Sequence, residues 1–364
     1  MAKISILTPC FNHEKYVSYF LQSVLEQSFS DFELIIVDDC SNDNSTKEIQ
    51  KFKDPRIKLI KHEFNKGINA TLNTAFENSN GEYIVFCASD DILEKNALEI
   101  IYKTFKDNDI IAVYPNLICI DENNEILGNL YPLKQRNKVE LLYYLFMRYN
   151  CLTSVGLSLK RDVFEKLYPL PNSMCNYQDM KMHIDILNIG EIKILETQLI
   201  RYRRTRSKTN ISAHNSITTT RENLETEMLL DTYLKFDNIF LLEQIFHKEI
   251  NKTNIKPYQE TLPFFLGIMA LESENIYKKY WGYHKIMEFY KNDANAKILY
   301  EKYNFTFKDY LQLAKKCDTG DIFIKKYRKY KKISNFLIIV CFFLILCIII
   351  ITIYQYGVKW KKIL

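Results

Sequence analysis

Residues 4–8, 32–37, 57–60 and 83–87 form short, mostly apolar runs, the pattern of strands buried on both faces. Between the first two, Val17, Phe20, Leu21, Val24 and Leu25 recur at helical spacing. Residues 69–78 and 93–105 also read as helices, and residues 110–114 as a further strand. Ser45 with Glu48 three positions on predicts a capping box that opens a short helix. Strand–helix alternation predicts an α/β fold, a mainly parallel sheet flanked by helices, with ligands bound beyond the carboxyl ends of its strands. Farther on, the polar stretch from Asp121 to Glu125 centres a hairpin over 118–127, residues 139–147 read as a helix, and 151–204 return to a mixed pattern. From 216 to about 316 the pattern is mostly helical and carries no catalytic motif.

The C-terminal pattern differs again. Phe336 to Tyr354 is 19 residues without charge, Gly or Pro, about 28 Å as a helix against the ~30 Å of a hydrocarbon core. Lys325, Lys326, Arg328, Lys329, Lys331 and Lys332 precede it, and Lys359, Lys361 and Lys362 follow. The denser basic flank belongs on the cytoplasmic side and attracts anionic headgroups. The expected organisation is an α/β domain over 1–215, a helical extension over 216–324, a basic juxtamembrane segment over 325–335, one transmembrane helix over 336–354, and a short basic tail over 355–364. The expected location is the inner, cytoplasmic membrane, single-pass, with the body in the cytosol. The N-terminal apolar run is too short for a signal peptide.

Charge changes the reading of the body. The net charge is +5, but residues 325–364 hold nine basic and no acidic side chains, which leaves residues 1–324 at −4. A slightly acidic body argues against nucleic acid as a partner. The nine cysteines are scattered with no C-x-x-C pair, which suits isolated thiols in a reducing compartment. No Gly-rich phosphate loop, zinc-binding His spacing or G-x-S-x-G elbow occurs.

What remains is acidic. Asp38 and Asp39 follow the run 34–37, Asp90 and Asp91 follow 83–89, and Asp179 follows Gln178. Carboxylates at strand ends are costly to hold without a partner. A divalent cation, Mn²⁺ or Mg²⁺, takes such oxygen ligands and shares them with a substrate's phosphates. The alternative for each pair is a turn or helix-capping residue; for Asp90 and Asp91 this would cap a helix starting near Glu94. Arg201, Arg203, Arg204 and Arg206 form a basic cluster suited either to a diphosphate or anionic acceptor or to a solvated strand end.

Ile4-Ser-Ile-Leu-Thr-Pro9-Cys-Phe-Asn12-His-Glu14-Lys-Tyr16, then the segments 23–28, 32–43, Asn65-Lys-Gly67, Asn73 and 81–91, resemble family-2 glycosyltransferases of the GT-A fold in order and spacing. Segments 156–164, 178–179 and 199–203 resemble the second half of the same domain more loosely. The resemblance implies a nucleotide-sugar pocket formed by Pro9, Asn12, Glu14, Asp38, Asp39, Asn65, Gly67, Asn73, Asp90 and Arg203. In it Asp39, or Asp38, accepts hydrogen bonds from the base, while Asn12 and Glu14 have the alternative of capping the first helix. It places Asp90 last in the metal-binding D-x-D element with Asp91 beside it, and makes Asp179 the general base. The chain departs from the family pattern at Ala88, where an Asp is usual, at Leu72 for Arg, at Gln178 for an acid, and at Thr205 for His. Loss of the acid at 178 predicts that Asp179 ionises more easily.

The implied enzyme is an inverting, metal-dependent glycosyltransferase. It moves a sugar from a nucleoside-diphosphate sugar to a hydroxyl of a glycan or lipid-linked acceptor, in surface polysaccharide synthesis. The competing readings are a non-catalytic membrane-anchored scaffold of the same fold, and a nucleotidyltransferase, which the missing Gly-rich loop disfavours.

Overall fold

The computed structural model describes residues 2–205, 215–317 and 320–360, the last stretch as backbone alone at 320–323, 325, 347 and 349–360. The chain divides into two compact units, Met1–Phe305 and Thr306–Leu364.

The first unit opens with β1 (Ile4–Cys10), α1 (Val17–Leu25), β2 (Phe32–Asp38), α2 (Ser45–Gln50), β3 (Ile57–Lys61), α3 (Ile68–Glu77) and β4 (Tyr83–Phe86). It continues with β5 (Ile92–Leu93), α4 (Ala97–Asp107), β6 (Ala112–Ile120), β7 (Ile126–Gly128), α5 (Lys138–Met147), β8 (Ser158–Lys160), α6 (Arg161–Leu167), α7 (Gln178–Ile189) and β9 (Ile192–Arg203). One sheet runs in the order β3-β2-β1-β4-β8-β6-β9-β5, with β7 paired to β6. The first four strands are parallel neighbours, and Cys10 lies opposite Asp38. β8 runs antiparallel to both β4 and β6, β7 to β6 and β5 to β9, while β6 and β9 are parallel. The sheet is therefore mixed, which corrects the mainly parallel expectation. Helical crossovers keep β1–β4 and the β6/β9 pair parallel; the 118–127 hairpin, the return of β8 and the pairing of β5 with β9 introduce the opposite sense.

Two local expectations fail for identifiable reasons. Ser45 is the first residue of α2, not its cap. Its hydroxyl is spent on Asp43 Oδ1, at 2.5 Å, and on the His13 amide, at 2.8 Å, so no capping box forms. The helix expected from 93 begins at Ala97, because Ile92 and Leu93 pair with Ile200 and Arg201 of β9. Asp90 and Asp91 are thus too far upstream to cap it.

Residues beyond 215 add α8 (Ser216–Asp231), α9 (Ile239–Ile245), α10 (His247–Thr253), α11 (Leu262–Leu271), α12 (Ile276–Phe289) and α13 (Asp293–Tyr303). These helices close over α5 and α7. The Tyr233 hydroxyl donates to the Leu142 carbonyl at 2.7 Å, and Phe146 is met edge-on by Tyr233 and Phe246. The Lys278 ammonium donates to the carbonyls of Phe146 and Arg148 at the end of α5; burial lowers its pKa to about 7.

The second unit holds α14 (Phe307–Leu313) and the 41-residue α15 (Gly320–Trp360). The expected membrane span, 336–354, falls within α15. Its side chains at 347 and 349–354, and residues 361–364 of the tail, lie outside the described residues. Among the described residues no helix is long and apolar enough to cross a membrane.

α11 and α12 touch backbone to backbone. A Cβ on Gly282 would lie 2.5 Å from the Gly267 carbonyl oxygen, and one on Gly267 2.7 Å from that of Gly282. Gly282→Ala is expected to destabilise the first unit by about 1–3 kcal/mol, the usual cost of overpacking, read as a lower urea midpoint.

Candidate active site

The site is built at the carboxyl ends of β1, β2 and β4, where backbone groups leave the ladder and need new partners. Pro9 is half-buried opposite Val37. Beyond it the β1–α1 loop turns at Asn12, whose φ of 56° is left-handed. The Asn12 amide donates to Ser41 Oγ (2.9 Å), and its Oδ1 accepts from the Asn42 amide (2.8 Å). Glu14 Oε2 accepts from the backbone (2.9 Å) and side chain (3.0 Å) of Asn44. Asn12 and Glu14 therefore stitch this loop to the β2–α2 loop, and neither caps α1.

Asp38 and Asp39 are both buried. Asp39 Oδ1 accepts from His62 Nδ1 (2.7 Å) and the Lys66 amide (2.8 Å), and its Oδ2 accepts from the Gly67 amide (2.8 Å). Gly67, at φ 86°, starts α3, and Asn65 is exposed in the same loop. With one bond, Asp39 Oδ2 retains acceptor capacity. Asp38 Oδ2 accepts from the Ser41 amide (3.1 Å), whereas its Oδ1 is buried without a partner.

On the other side of β1, Asp90 and Asp91 follow β4. The Arg203 amide donates to Asp91 Oδ1 (2.9 Å), while Asp91 Oδ2 is buried and unpartnered. Burial, with Asp90 beside it, pushes Asp91 well above the usual carboxylate range. The Arg203 guanidinium is fully buried and donates to the carbonyls of Asp90 (2.7 Å) and Asp121 (2.7 Å) and to Asn124 Oδ1 (2.6 Å), under the Tyr16 ring. In place of the contact with the donor expected of Arg203, each of its three nitrogens helps tie the strand-end loop to the β6–β7 hairpin. Asp90 instead turns its carboxylate toward His13, Nε2 to Oδ2 3.9 Å. His13 is held by Ser89 Oγ at 2.7 Å.

Asp179 lies in the first turn of α7. Its Oδ2 accepts from Asn150 Nδ2 (3.0 Å) and its Oδ1 from the Met180 amide (2.6 Å). Burial raises its pKa to about 6, and the Glu225 charge adds to the rise. This runs against the expectation drawn from Gln178: Asp179 is harder to ionise, and a like charge comes from Glu225 on α8. Glu225 accepts from the successive amides of Cys175 (3.0 Å), Asn176 (3.0 Å) and Tyr177 (2.7 Å), holding the loop that leads into α7. One turn beyond Asp179, His183 takes the Tyr114 hydroxyl at 3.0 Å. Burial drives His183 down to about 3, so it stays neutral.

Asn73, expected in the donor pocket, has its side chain spent elsewhere. Its amide clasps Leu170, Nδ2 to the carbonyl (2.9 Å) and Oδ1 from the amide (2.8 Å). One turn earlier, Asn69 donates to the carbonyls of Pro171 and Met174. The helix that starts on Asp39 thereby carries the approach to Asp179.

Asn150 also lines a cavity of about 820 Å³ whose wall includes Tyr202 and Arg204, the neighbours of Arg203. The two Asp pairs thus flank β1, Asp179 borders this cavity through Asn150, and α3, which starts beside Asp39, holds the loop that leads to Asp179; none of the five carboxylates lines the cavity itself. Asn150 and Glu225 escaped the sequence reading, since neither sits in a recognisable motif. Arg206 and His214 lie outside the described residues.

Among the described residues, no three His, Cys, Asp or Glu side chains are grouped to hold a metal ion. The Asp90 carboxylate, 12% exposed beside His13, and the unpartnered Asp91 oxygen fit a cation held by one or two carboxylates, with phosphates supplying the rest.

The sequence profile described as Glycosyl transferase family 2 matches residues 5–167. UDP-Glc:alpha-D-GlcNAc-diphosphoundecaprenol beta-1,3-glucosyltransferase WfgD from Escherichia coli is 31% identical over 211 residues, which cover 58% of this chain and 80% of that protein. Among solved structures, S. aureus TarS 1-349 superposes with a TM-score of 0.55 at 16% identity, over 88% of this chain and 91% of that one. The same TarS fragment in complex with UDP-GlcNAc gives a TM-score of 0.53. The structural likeness shows the GT-A-type α/β fold, and the sequence likeness, which spans four-fifths of the E. coli enzyme, shows that this chain belongs to glycosyl transferase family 2 and is a glycosyltransferase.

Proposed function

We propose that the chain transfers a sugar from a nucleoside-diphosphate sugar to a hydroxyl of a lipid-linked glycan, with inversion, in the synthesis of a surface polysaccharide. The observation that carries this reading is Asp179, a single carboxylate tuned to about 6 and bonded to a residue of the large cavity. A base near that value is charged at neutral pH and basic enough to take a proton from an attacking hydroxyl. The UDP-GlcNAc complex of TarS and the diphosphoundecaprenol acceptor of the E. coli relative support the donor and acceptor classes.

In the proposed reaction Asp39 Oδ2 accepts from the base of the nucleotide, with Asp38 beside it, and Pro9 lines the pocket. Asp90, with Asp91 behind it, would hold Mn²⁺ or Mg²⁺, which when bound offsets the charge gathering on the leaving diphosphate. Asn12, Glu14, Asn73 and Arg203 act by fixing the loops. Asp179 accepts the acceptor's proton on the face of the sugar opposite the diphosphate, so the bond to the acceptor forms as that to the diphosphate breaks. A pure scaffold would not require a base held this way. The membrane location rests on the uncharged 336–354 segment between basic flanks; tethering concentrates the enzyme beside a lipid-borne acceptor.

Asp179→Asn is expected to lower kcat by ~10²–10⁴ with little change in donor KM, measured as nucleotide release with GlcNAc-diphosphate lipid as acceptor. Asp90→Asn should raise the Mn²⁺ requirement and the donor KM together. Full transfer by both variants would overturn the assignment.

The rate should fall as pH drops through about 6, because protonated Asp179 cannot accept a proton. Glu225→Gln removes a negative charge and should move this acid limb to lower pH. Asn150→Ala removes a donor that stabilises the carboxylate and should move it higher. Identical profiles for all three proteins would exclude Asp179 as the titrating group.

The full chain is expected to sediment with membranes and resist carbonate extraction. Removal of residues 325–364 should release it.

A further inference from the structure

We infer that the cavity beside Asn150 is the acceptor site and that it selects an acceptor carrying phosphate. This rests on the transferase reading and adds the charge of the acceptor to it. The cavity, about 820 Å³, is within the ~300–1,000 Å³ typical of ligand sites. Its lining contains Lys134, Arg136 and Arg204 and no acidic residue. None of the ion pairs among the described residues involves these three cations. The half-buried Lys181, Arg201 and Lys285, by contrast, each have a carboxylate.

Two of the cations are positioned without being neutralised. The Arg136 guanidinium lies 4.2 Å from the centroid of the Tyr144 ring, and that of Arg204 5.3 Å from Tyr131. Stacking on a ring face fixes the plane of a guanidinium yet leaves its N–H edge to donate. Such an edge recognises phosphate oxygens by paired, charge-assisted hydrogen bonds. Tyr131, Tyr149 and Tyr202 add ring surface to the same wall, suited to the apolar face of a sugar. Asn150 ties the cavity to Asp179 at 3.0 Å, so a sugar anchored there by its phosphate presents hydroxyls toward the base. The acidic strand ends repel the same phosphate, which separates this site from the donor site.

The test compares binding of GlcNAc 1-phosphate and methyl N-acetylglucosaminide to the full chain in a neutral detergent, with UDP and Mn²⁺ in excess to fill the donor site. The sugar phosphate is expected to bind more tightly than the neutral glycoside, with affinity falling as salt rises. The triple variant Lys134→Gln, Arg136→Gln, Arg204→Gln should weaken it at least about tenfold and leave the neutral sugar unmoved. Arg136→Lys with Arg204→Lys preserves charge and should lose less. Lys134 is exposed, so Lys134→Gln alone should weaken binding without disturbing the fold. Sugar-phosphate binding that is abolished by UDP, or unchanged in the triple and single variants, would overturn the inference. Acceptor KM for a GlcNAc-diphosphate lipid against soluble GlcNAc 1-phosphate assigns the phosphate to a lipid carrier or a free glycan. In either case the triple variant must raise the KM of the preferred form. Nucleotide release from UDP-sugars by the unmodified chain reports the transferase reading separately: its absence sinks that reading, while the binding data still decide the selectivity of the cavity.

Discussion

Burying carboxylates at the ends of strands is the constraint on which the rest of this structure depends. An ionised carboxylate away from water is costly unless donors surround it, and here the donors come from distant parts of the chain. Asp39 draws in His62 and the amides that open α3. Asp91 draws in the end of β9, and Arg203 from that strand then locks the Asp90 carbonyl and the hairpin turn. Each such bond fixes a loop that would otherwise be free. Asp90 turns its carboxylate to His13, while Arg203 holds its backbone carbonyl.

The same logic joins the helices beyond 215 to the chemistry. Glu225 lies on α8, yet its carboxylate gathers the amides of 175–177 and so sets where Asp179 enters α7. It fixes Asp179 in place and also raises the cost of charging it. Tyr233 binds the middle of α5 and Lys278 its end, three residues before Asn150, which supplies the opposing donor. The helical layer therefore supports Asp179 from both sides, and these helices belong to the site as much as the sheet does.

Much of this was readable from the sequence, and the rest fails for physical reasons. Continuous apolar runs marked β1, β2 and β4, because a strand covered on both faces has no polar alternation to hide it. The acids after those runs marked the strand ends. Side-chain direction was not readable. Arg203 and a donor-binding arginine look alike in sequence, since what separates them is which wall the strand presents, and that depends on the antiparallel return of β8. Asn73 matched a donor-site position but is turned to Leu170 by a loop 97 residues away. Ser45 and Glu48 satisfy the capping pattern, but His13 and Asp43 claim the hydroxyl first. Glu225 has no local signal, because its partners are 48 to 50 residues distant.

The distribution of charge offers a reason why the proposed transfer runs in one direction. Donor and acceptor, in this reading, both carry phosphate, so charge sign alone would let either occupy either pocket. In that reading the donor end is the acidic one, with Asp38, Asp39 and Asp90 at the strand ends, and it repels a phosphate that does not arrive with a cation. The acceptor end is cationic, with Lys134, Arg136 and Arg204, and needs no metal to receive one. A diphosphate with its cation therefore favours the first pocket and a bare phosphate the second, and in the proposed arrangement Asp179 works between them. Its environment suits that position. His183 beneath it is neutral, so no buried positive charge pulls its pKa down, and burial with Glu225 holds it near 6. Were the base lowered to an ordinary carboxylate value, it would be charged over a wider pH range but a poorer proton acceptor.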